Sequence, residues 1–220
     1  MGDGIQLNDS INFWAIEMLI NLDVSNQNIS DLTGIEDFTV LSSLKCYSNQ
    51  LTTLDVSNNI YLTDLRCQSN QLTSLDVSQN TALNSLFCFS NFLTSLDVSN
   101  NPDLTYLYSH SNQLASLDVS QNTDLYFLQC QFNQLINLDV SQNTTLQYLH
   151  CYSNHFTTLD VSQNTDLIEL HCQDNQLTIL DLRNGNNTNM PTFTISFNAT
   201  NNSNLYCINV DDVSWSTTNW

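Results

Sequence analysis

The sequence predicts a solenoid: a single elongated, weakly curved array of short coils, rich in parallel β-sheet and with few helices. Three observations carry that prediction. Asn49, Asn70, Asn91, Asn112, Asn133, Asn154 and Asn175 recur at a constant step of 21 residues. Each sits in the same phrase, as in Leu62-x-x-Leu65-x-Cys67-x-x-Asn70-x-Leu72. Six of the seven cysteines (Cys46, Cys67, Cys88, Cys130, Cys151 and Cys172) hold one position of that phrase, with Ser109 filling the remaining coil. Phrase and step are those of the leucine-rich repeat, whose units run ~20–29 residues. A coil this short cannot bury its leucines alone, whereas neighbours stacked in register share one core.

Residues 1–21 precede the repeat. Ile11, Trp14, Ala15, Met18 and Leu19 have helical spacing and predict an N-terminal cap that lays one apolar face over the open first coil. The array runs over residues 22–182. Leu22-x-Val24-x-x-Gln27-x-Ile29 opens it as a degenerate coil in which Gln27 replaces Asn, and Leu32, Ile35, Phe38 and Leu41, three residues apart, suggest a short helix. Seven regular coils follow from Leu41 to Leu182. Each has a strand such as Leu65-Arg66-Cys67, a turn through Asn70, a second extended piece such as Leu75-Asp76-Val77, and a turn through Ser78-Gln79-Asn80. Residues 183–220 read as a C-terminal cap: the turn-rich Arg183-Asn184-Gly185-Asn186-Asn187 gives way to renewed alternation at Phe193-x-Ile195-x-Phe197 and Leu205-x-Cys207-x-x-Val210.

Inside the coils, the recurring Asn should turn inward, its amide satisfying backbone groups that the tight bend leaves unpaired in adjacent coils. The cysteine row points into the core. Parallel strands lie ~4.8 Å apart with parallel side-chain vectors, which suits packed thiols better than disulfides. Zinc binding by cysteine needs close pairs such as C-x-x-C, and none occurs. Cys207 lies off the row, 35 residues after Cys172 (207 − 172). It either pairs with a cysteine beyond this sequence or is buried.

Charge narrows the partners. Against 22 acidic residues stand only Lys45, Arg66 and Arg183, a net charge of −19. Such a chain repels phosphate backbones and anionic lipid, so nucleic acid is not an expected partner. No apolar run reaches the ~20 residues that span a bilayer, and membrane insertion is not expected. Met1-Gly2-Asp3 lacks the basic region and long apolar core of a secretory signal. The chain is therefore read as either cytosolic or a mature secreted form restarted at an added Met, the second being preferred. A monomer is expected.

Strand alternation sends Leu and Cys inward and leaves three outward columns on the principal sheet. Between Leu and Cys stand Lys45, Arg66, Phe87, Tyr108, Gln129, His150 and His171; after Cys come Tyr47, Gln68, Phe89, His110, Gln131, Tyr152 and Gln173. Before Leu come Ser43, Asp64, Ser85, Tyr106, Phe127, Tyr148 and Glu169. This face changes from coil to coil while the rest of each coil is nearly copied. Phe87, Phe89, Tyr106, Tyr108, Phe127, Tyr148 and Tyr152 should form a contiguous exposed aromatic patch, the usual sign of a contact surface. Aromatics that merely suit a β surface are the plainer alternative. The candidate ligand-binding face is completed by Lys45, Tyr47, Arg66, His110, Gln129, His150 and His171. Lys45 and Arg66 favour a partner with carboxylates, phosphates or carbonyls at the N-terminal end.

A second stripe, Asp55, Asp76, Asp97, Asp118, Asp139, Asp160 and Asp181, occupies the opposite extended segment. Each Asp is expected to accept hydrogen bonds from the Ser or Thr beside it, as in Asx turns, in preference to calcium bridging. No nucleophile and orienting acid surround His110, His150 and His171, so no catalytic residues are assigned and an enzyme is not expected. His150, His171 and Glu169 could together hold a transition metal, but the histidines read better as solvated recognition residues; no metal or cofactor is expected.

The coil consensus L-T-x-L-D-V-S-x-N-x-x-L-x-x-L-x-C-x-x-N-Q resembles the short-repeat, cysteine-ladder branch of the internalin-like bacterial surface proteins. Asn28-Ile29-Ser30-Asp31-Leu32-Thr33-Gly34-Ile35-Glu36 looks like the phrase that opens internalin arrays. The resemblance implies a secreted or wall-attached adhesin or ligand-binding module, often part of a longer polypeptide; no wall-sorting motif is present in this sequence. The leading expectation is an extracellular module gripping a protein ligand through the variable aromatic face. A glycan-binding module is its nearest rival, and a structural spacer without a ligand is a third reading. Ice or mineral binding through pairs such as Thr52-Thr53 and Thr73-Ser74 is disfavoured by Ile136-Asn137, which interrupts that row.

Overall fold

A computed structural model describes residues 18–190 and 196–219. The expectations for Ile11, Trp14 and Ala15 of the N-terminal cap, and for Phe193 and Ile195, lie outside the described residues. Strands β1 (Asn21–Asp23), β2 (Ser43–Lys45), β3 (Asp64–Arg66), β4 (Ser85–Phe87), β5 (Tyr106–Tyr108), β6 (Phe127–Gln129), β7 (Tyr148–His150), β9 (Glu169–His171) and β11 (Phe197–Asn198) form one nine-stranded sheet in that order. Strands β8 (Thr158–Asp160), β10 (Ile179–Asp181) and β12 (Cys207–Asn209) form a second, three-stranded sheet. All pairings are parallel. The predicted leucine-rich repeat solenoid is thus the fold.

Register follows the repeat. Leu44, Leu65, Leu86, Leu107, Leu128, Leu149 and Leu170 pair strand to strand in one fully buried column. The opening coil is one residue longer, with Leu22 opposite Leu44. A one-turn 3-10 helix at Ile35–Asp37 occupies the stretch whose three-residue spacing suggested a short helix. Helix α1 (Val213–Asn219) ends the described chain. Each buried leucine contributes ~1.5–3 kcal/mol relative to exposure.

Two buried asparagine rows close the coils, and only one was anticipated. At the sheet-side turn, Asn91 Nδ2 donates to the carbonyls of Cys67 and Cys88 at 3.1 and 3.0 Å, and its Oδ1 accepts from the Leu72 N–H at 3.0 Å. The same set repeats at Asn70, Asn133, Asn154 and Asn175. This row runs past Leu182 to Asn202, 27 residues after Asn175 (202 − 175), which takes the Leu177 N–H and donates to the Cys172 carbonyl. A six-residue lengthening of that coil hides the rung from a search at the 21-residue step. At the opposite turn Asn59, Asn80, Asn101, Asn122, Asn143 and Asn164 are fully buried, each donating to two carbonyls of the preceding coil.

The residue just before each sheet-side Asn takes a left-handed backbone: Ser48, Ser69, Ser90, Ser111, Phe132, Ser153 and Asp174 have φ between 53° and 56°. Small polar residues tolerate this region because their side chains can hydrogen-bond locally. Phe132 is the exception.

Candidate ligand-binding face

The outward columns are built as strand alternation predicts, but the aromatics stack on one another. The Arg66 guanidinium carbon sits 4.7 Å over Phe87. Phe87 lies parallel to Tyr108 at 4.5 Å, Tyr108 to Phe127 at 5.3 Å, and Phe127 to Tyr148 at 4.9 Å, with interplanar angles of 11° to 12°. From Phe127 a second branch meets His150 edge-on at 5.5 Å, and His150 stacks on His171 at 4.5 Å. The run changes column at Phe127 because Gln129, not a ring, follows Tyr108 on the middle column. Strands a sheet spacing apart put rings at contact distance, and offset-stacked pairs are worth ~0.5–1.5 kcal/mol beyond burial.

Mutual cover alters the expected exposed patch. Phe87, Phe89, Tyr108, Phe127, Tyr148 and Tyr152 are half-buried, and Tyr106 is 36% exposed. Ring faces are largely hidden against neighbours, so edges and hydroxyls meet solvent. Phe89 and His110 form a separate pair at 4.3 Å, and Tyr152 meets Phe132 edge-on at 5.1 Å. Tyr47 and Lys45, both half-buried at the β2 end, lie outside the stack.

Four residues behave differently from expectation. Arg66 Nε is 3.0 and 3.1 Å from the two carboxylate oxygens of Asp64, so its charge is already paired and offers less to an anionic partner. Gln131, placed in an outward column by alternation, is only 5% exposed, and its Oε1 is buried without a hydrogen-bond partner among the described residues. Burial pushes the His110 imidazole down to about 4, with His150 repulsion adding to the effect. His150 is also lowered by burial, against the opposing pull of Glu169.

The comparisons with known proteins place this geometry in a group. No protein-family profile matches the chain. Internalin J of Listeria monocytogenes serotype 4b (strain F2365) is 48% identical over 55 residues, 25% of this chain and 6% of that protein. The structure of the functional domain of InlJ from Listeria monocytogenes, which includes a cysteine ladder, superposes with a TM-score of 0.63 at 36% identity, covering 94% of this chain and 57% of that one. Internalin C2 from the same species superposes with a TM-score of 0.71 at 22% identity, covering 91% and 84%. The chain has a leucine-rich repeat fold and is similar to the internalins. It spans little over half of the InlJ domain and a small fraction of the curated relative.

The cysteine ladder is shut away from solvent. All six thiols are buried and free, and burial pushes Cys46, Cys88, Cys130 and Cys172 up to about 12 and Cys67 and Cys151 well above their ordinary value. Cys207 is half-buried on β12, with its Sγ 3.4 Å from Asn209 Oδ1. The Asp stripe forms the anticipated Asx turns: backbone N–H groups of Ser57, Ser78, Ser99, Ser120, Ser141 and Ser162 donate to the Asp two residues earlier at 2.8 to 2.9 Å. Those bonds, together with the hydroxyls of the same serines (the larger cause at Asp97), hold Asp55, Asp76, Asp97, Asp118 and Asp139 below the usual carboxylate range. Among the described residues no helix is long and apolar enough to cross a membrane.

Sequence reading missed two members of the face. Tyr126 stands beside Tyr106 at 6.0 Å and Tyr148 at 5.4 Å, widening the aromatic strip by one column. Phe132 enters through its ring contact with Tyr152. Their shared signal was departure from the residue type that neighbouring coils carry at the same position.

Proposed function

We propose that this chain is an extracellular binding module that recognises a protein ligand through the outer surface of its nine-stranded sheet, used for adhesion at a bacterial cell surface. Leucine-rich repeat domains generally bind proteins, and solenoids present one extended face for that purpose. The observation that carries the reading is the continuous ring run Phe87–Tyr108–Phe127–Tyr148 on a face whose buried neighbours are copied from coil to coil. Packing of the core requires the copied residues; it does not require the rings. Pre-stacked rings lose little side-chain entropy on contact and supply the area that interface centres use. The internalin likeness supports the secreted or cell-surface setting.

A glycan ligand uses the same residue types but needs a free ring face for sugar stacking. Here neighbouring rings lie nearly parallel at 4.5 to 5.3 Å and cover one another, which favours a protein surface reading edges and hydroxyls. Cross-linked pull-down on intact cells, run beside a glycan array, separates the two. The expected result is a protein partner lost with Tyr108→Ala and Phe127→Ala. Unchanged capture by the Tyr106→Ala, Tyr108→Ala, Phe127→Ala triple variant would leave the spacer reading standing instead.

A further inference from the structure

At the C-terminal end of the face converge the three donor side chains that the sequence brought together as a possible metal set but read as solvated recognition residues. His150 and His171 are register partners on β7 and β9, and Glu169 stands two residues before His171 on the same face of β9. Glu169 Oε1 is 2.7 Å from His150 Nε2 and 3.6 Å from His171 Nε2. One ligand atom from each residue lies within 4.8 Å of the others. Metal–ligand bonds of ~2.0–2.2 Å at tetrahedral angles set donors ~3.3 Å apart, so small side-chain rotations suffice.

We propose that His150, Glu169 and His171 form a solvent-open site for a divalent transition-metal ion of the zinc class. Two imidazoles and a carboxylate are the donor set that suits zinc, copper or nickel. The side chains are 15%, 28% and 20% exposed, dehydrated enough to have weak competition from water yet open enough to admit an ion. Their backbones sit on adjacent strands of a hydrogen-bonded sheet, which fixes donor positions better than loops do.

Gln129 supplies the orienting group. Its Nε2 lies 3.2 Å from His150 Nδ1. Turning that amide over would set the Gln129 carbonyl oxygen to accept Nδ1–H, aiming the Nε2 lone pair at the ion. The equivalent positions on the strand pair β5 and β6, Tyr108, Phe127 and Gln129, hold no such donor set. A net charge of −19 raises the local concentration of cations around the whole chain. The remaining coordination position faces solvent and would hold water or a donor from a docked partner. This site is independent of the docking reading, since the ion itself is the ligand tested.

The test is calorimetric titration of tag-free, metal-stripped full chain with zinc chloride, paired with thermal melts with and without the ion. The expected result is one zinc ion per chain and a raised melting midpoint. His150→Ala and His171→Ala should each weaken binding at least tenfold, Glu169→Gln likewise with a near-isosteric side chain, and Gln129→Ala ~10-fold as the orienting partner. Cys207→Ser should bind as the parent does. The proposal is overturned by an absence of saturable binding up to millimolar zinc, by unchanged affinity in the His150→Ala, His171→Ala double variant, or by loss of binding in Cys207→Ser.

Discussion

Asparagines close both turns of the regular coils up to Asn164, all of them buried except the half-buried Asn112, yet the two rows are held differently. On the sheet side the amide is used at both ends: Nδ2 reaches two carbonyls and Oδ1 takes a backbone N–H from the preceding coil, as at Asn91. On the opposite side Nδ2 again reaches two carbonyls, but Oδ1 of Asn59, Asn80, Asn101, Asn122, Asn143 and Asn164 is buried with no partner among the described residues. The turn with the more complete bonding is also the one that bends through a left-handed residue. Strained backbone persists where its surroundings over-determine it. Rigidity is therefore concentrated directly beneath the variable face, where a docking surface benefits from being pre-formed.

The largest expected difference between the rows comes from alanine at matched coils. Asn91→Ala strands the buried Leu72 N–H and takes one of two donors from the Cys67 and Cys88 carbonyls, which keep Asn70 and Asn112, and should cost ~2–4 kcal/mol, since an orphaned buried group costs ~1–3 kcal/mol and each lost hydrogen bond ~1 kcal/mol or less. Asn101→Ala takes one of two donors from the Val77 and Asn80 carbonyls, which keep the Asn80 and Leu83 N–H groups, and removes an oxygen that was itself unsatisfied, so it should cost only ~1–2 kcal/mol. Urea midpoints of the two variants measure this directly. Equal losses would mean that the acceptor end of the sheet-side amide contributes nothing.

How much of this was readable beforehand depends on where each residue's environment is set. The Leu, Cys and Asn columns of the sheet side were legible because the interior of a stacked coil admits few solutions, and those solutions recur as letters. The second asparagine row was equally periodic at Asn59, Asn80 and Asn101. It was passed over because Ser-Gln-Asn reads as turn chemistry, although a turn buried between coils still needs its carbonyls satisfied. Asn202 was hidden by a longer coil. On the face, alternation gave the columns but not the contacts: Arg66 pairs with Asp64, the stack crosses columns at Phe127, and Glu169 reaches His150, all of which depend on side-chain rotation.

Acid should loosen the sheet side at one rung first. Asn112 is the rung of that row left half-buried, and it donates to the His110 carbonyl at 3.2 Å. The His110 imidazole is held at about 4, against an ordinary value near 6.5, chiefly by burial. Below pH 6.5 the unfolded chain takes a proton here that the folded chain refuses until about pH 4, so stability falls across that window and levels off beneath it. The loss should be ~2 kcal/mol once solvent access to a half-buried ring is allowed for. His150, also lowered, adds to the same window. The Asp stripe acts elsewhere: its lowered carboxyls lose their contribution only as pH drops below about 3.8. Unfolding free energies at pH 7 and pH 4.5 should differ less in His110→Gln than in the parent; an unchanged difference would remove His110 as the cause.

The smallest effect is expected where the left-handed position carries a residue unsuited to it. Phe132 has φ 54° and is 51% exposed, whereas the same turn uses Ser in five other coils and Asp174 in another. A bulky side chain in this region costs ~1–2 kcal/mol, and Asn is among the few residues that adopt it readily. Phe132→Asn should therefore stabilise by ~0.5–1 kcal/mol after the edge contact with Tyr152 is lost, read as a higher urea midpoint with an unchanged slope. The same change in the opposite sense, Ser90→Phe, should destabilise. If Phe132→Asn stabilises the fold yet weakens partner capture, the strained phenylalanine belongs to the recognition surface; if it stabilises and leaves capture unaltered, the surface ends at Tyr152.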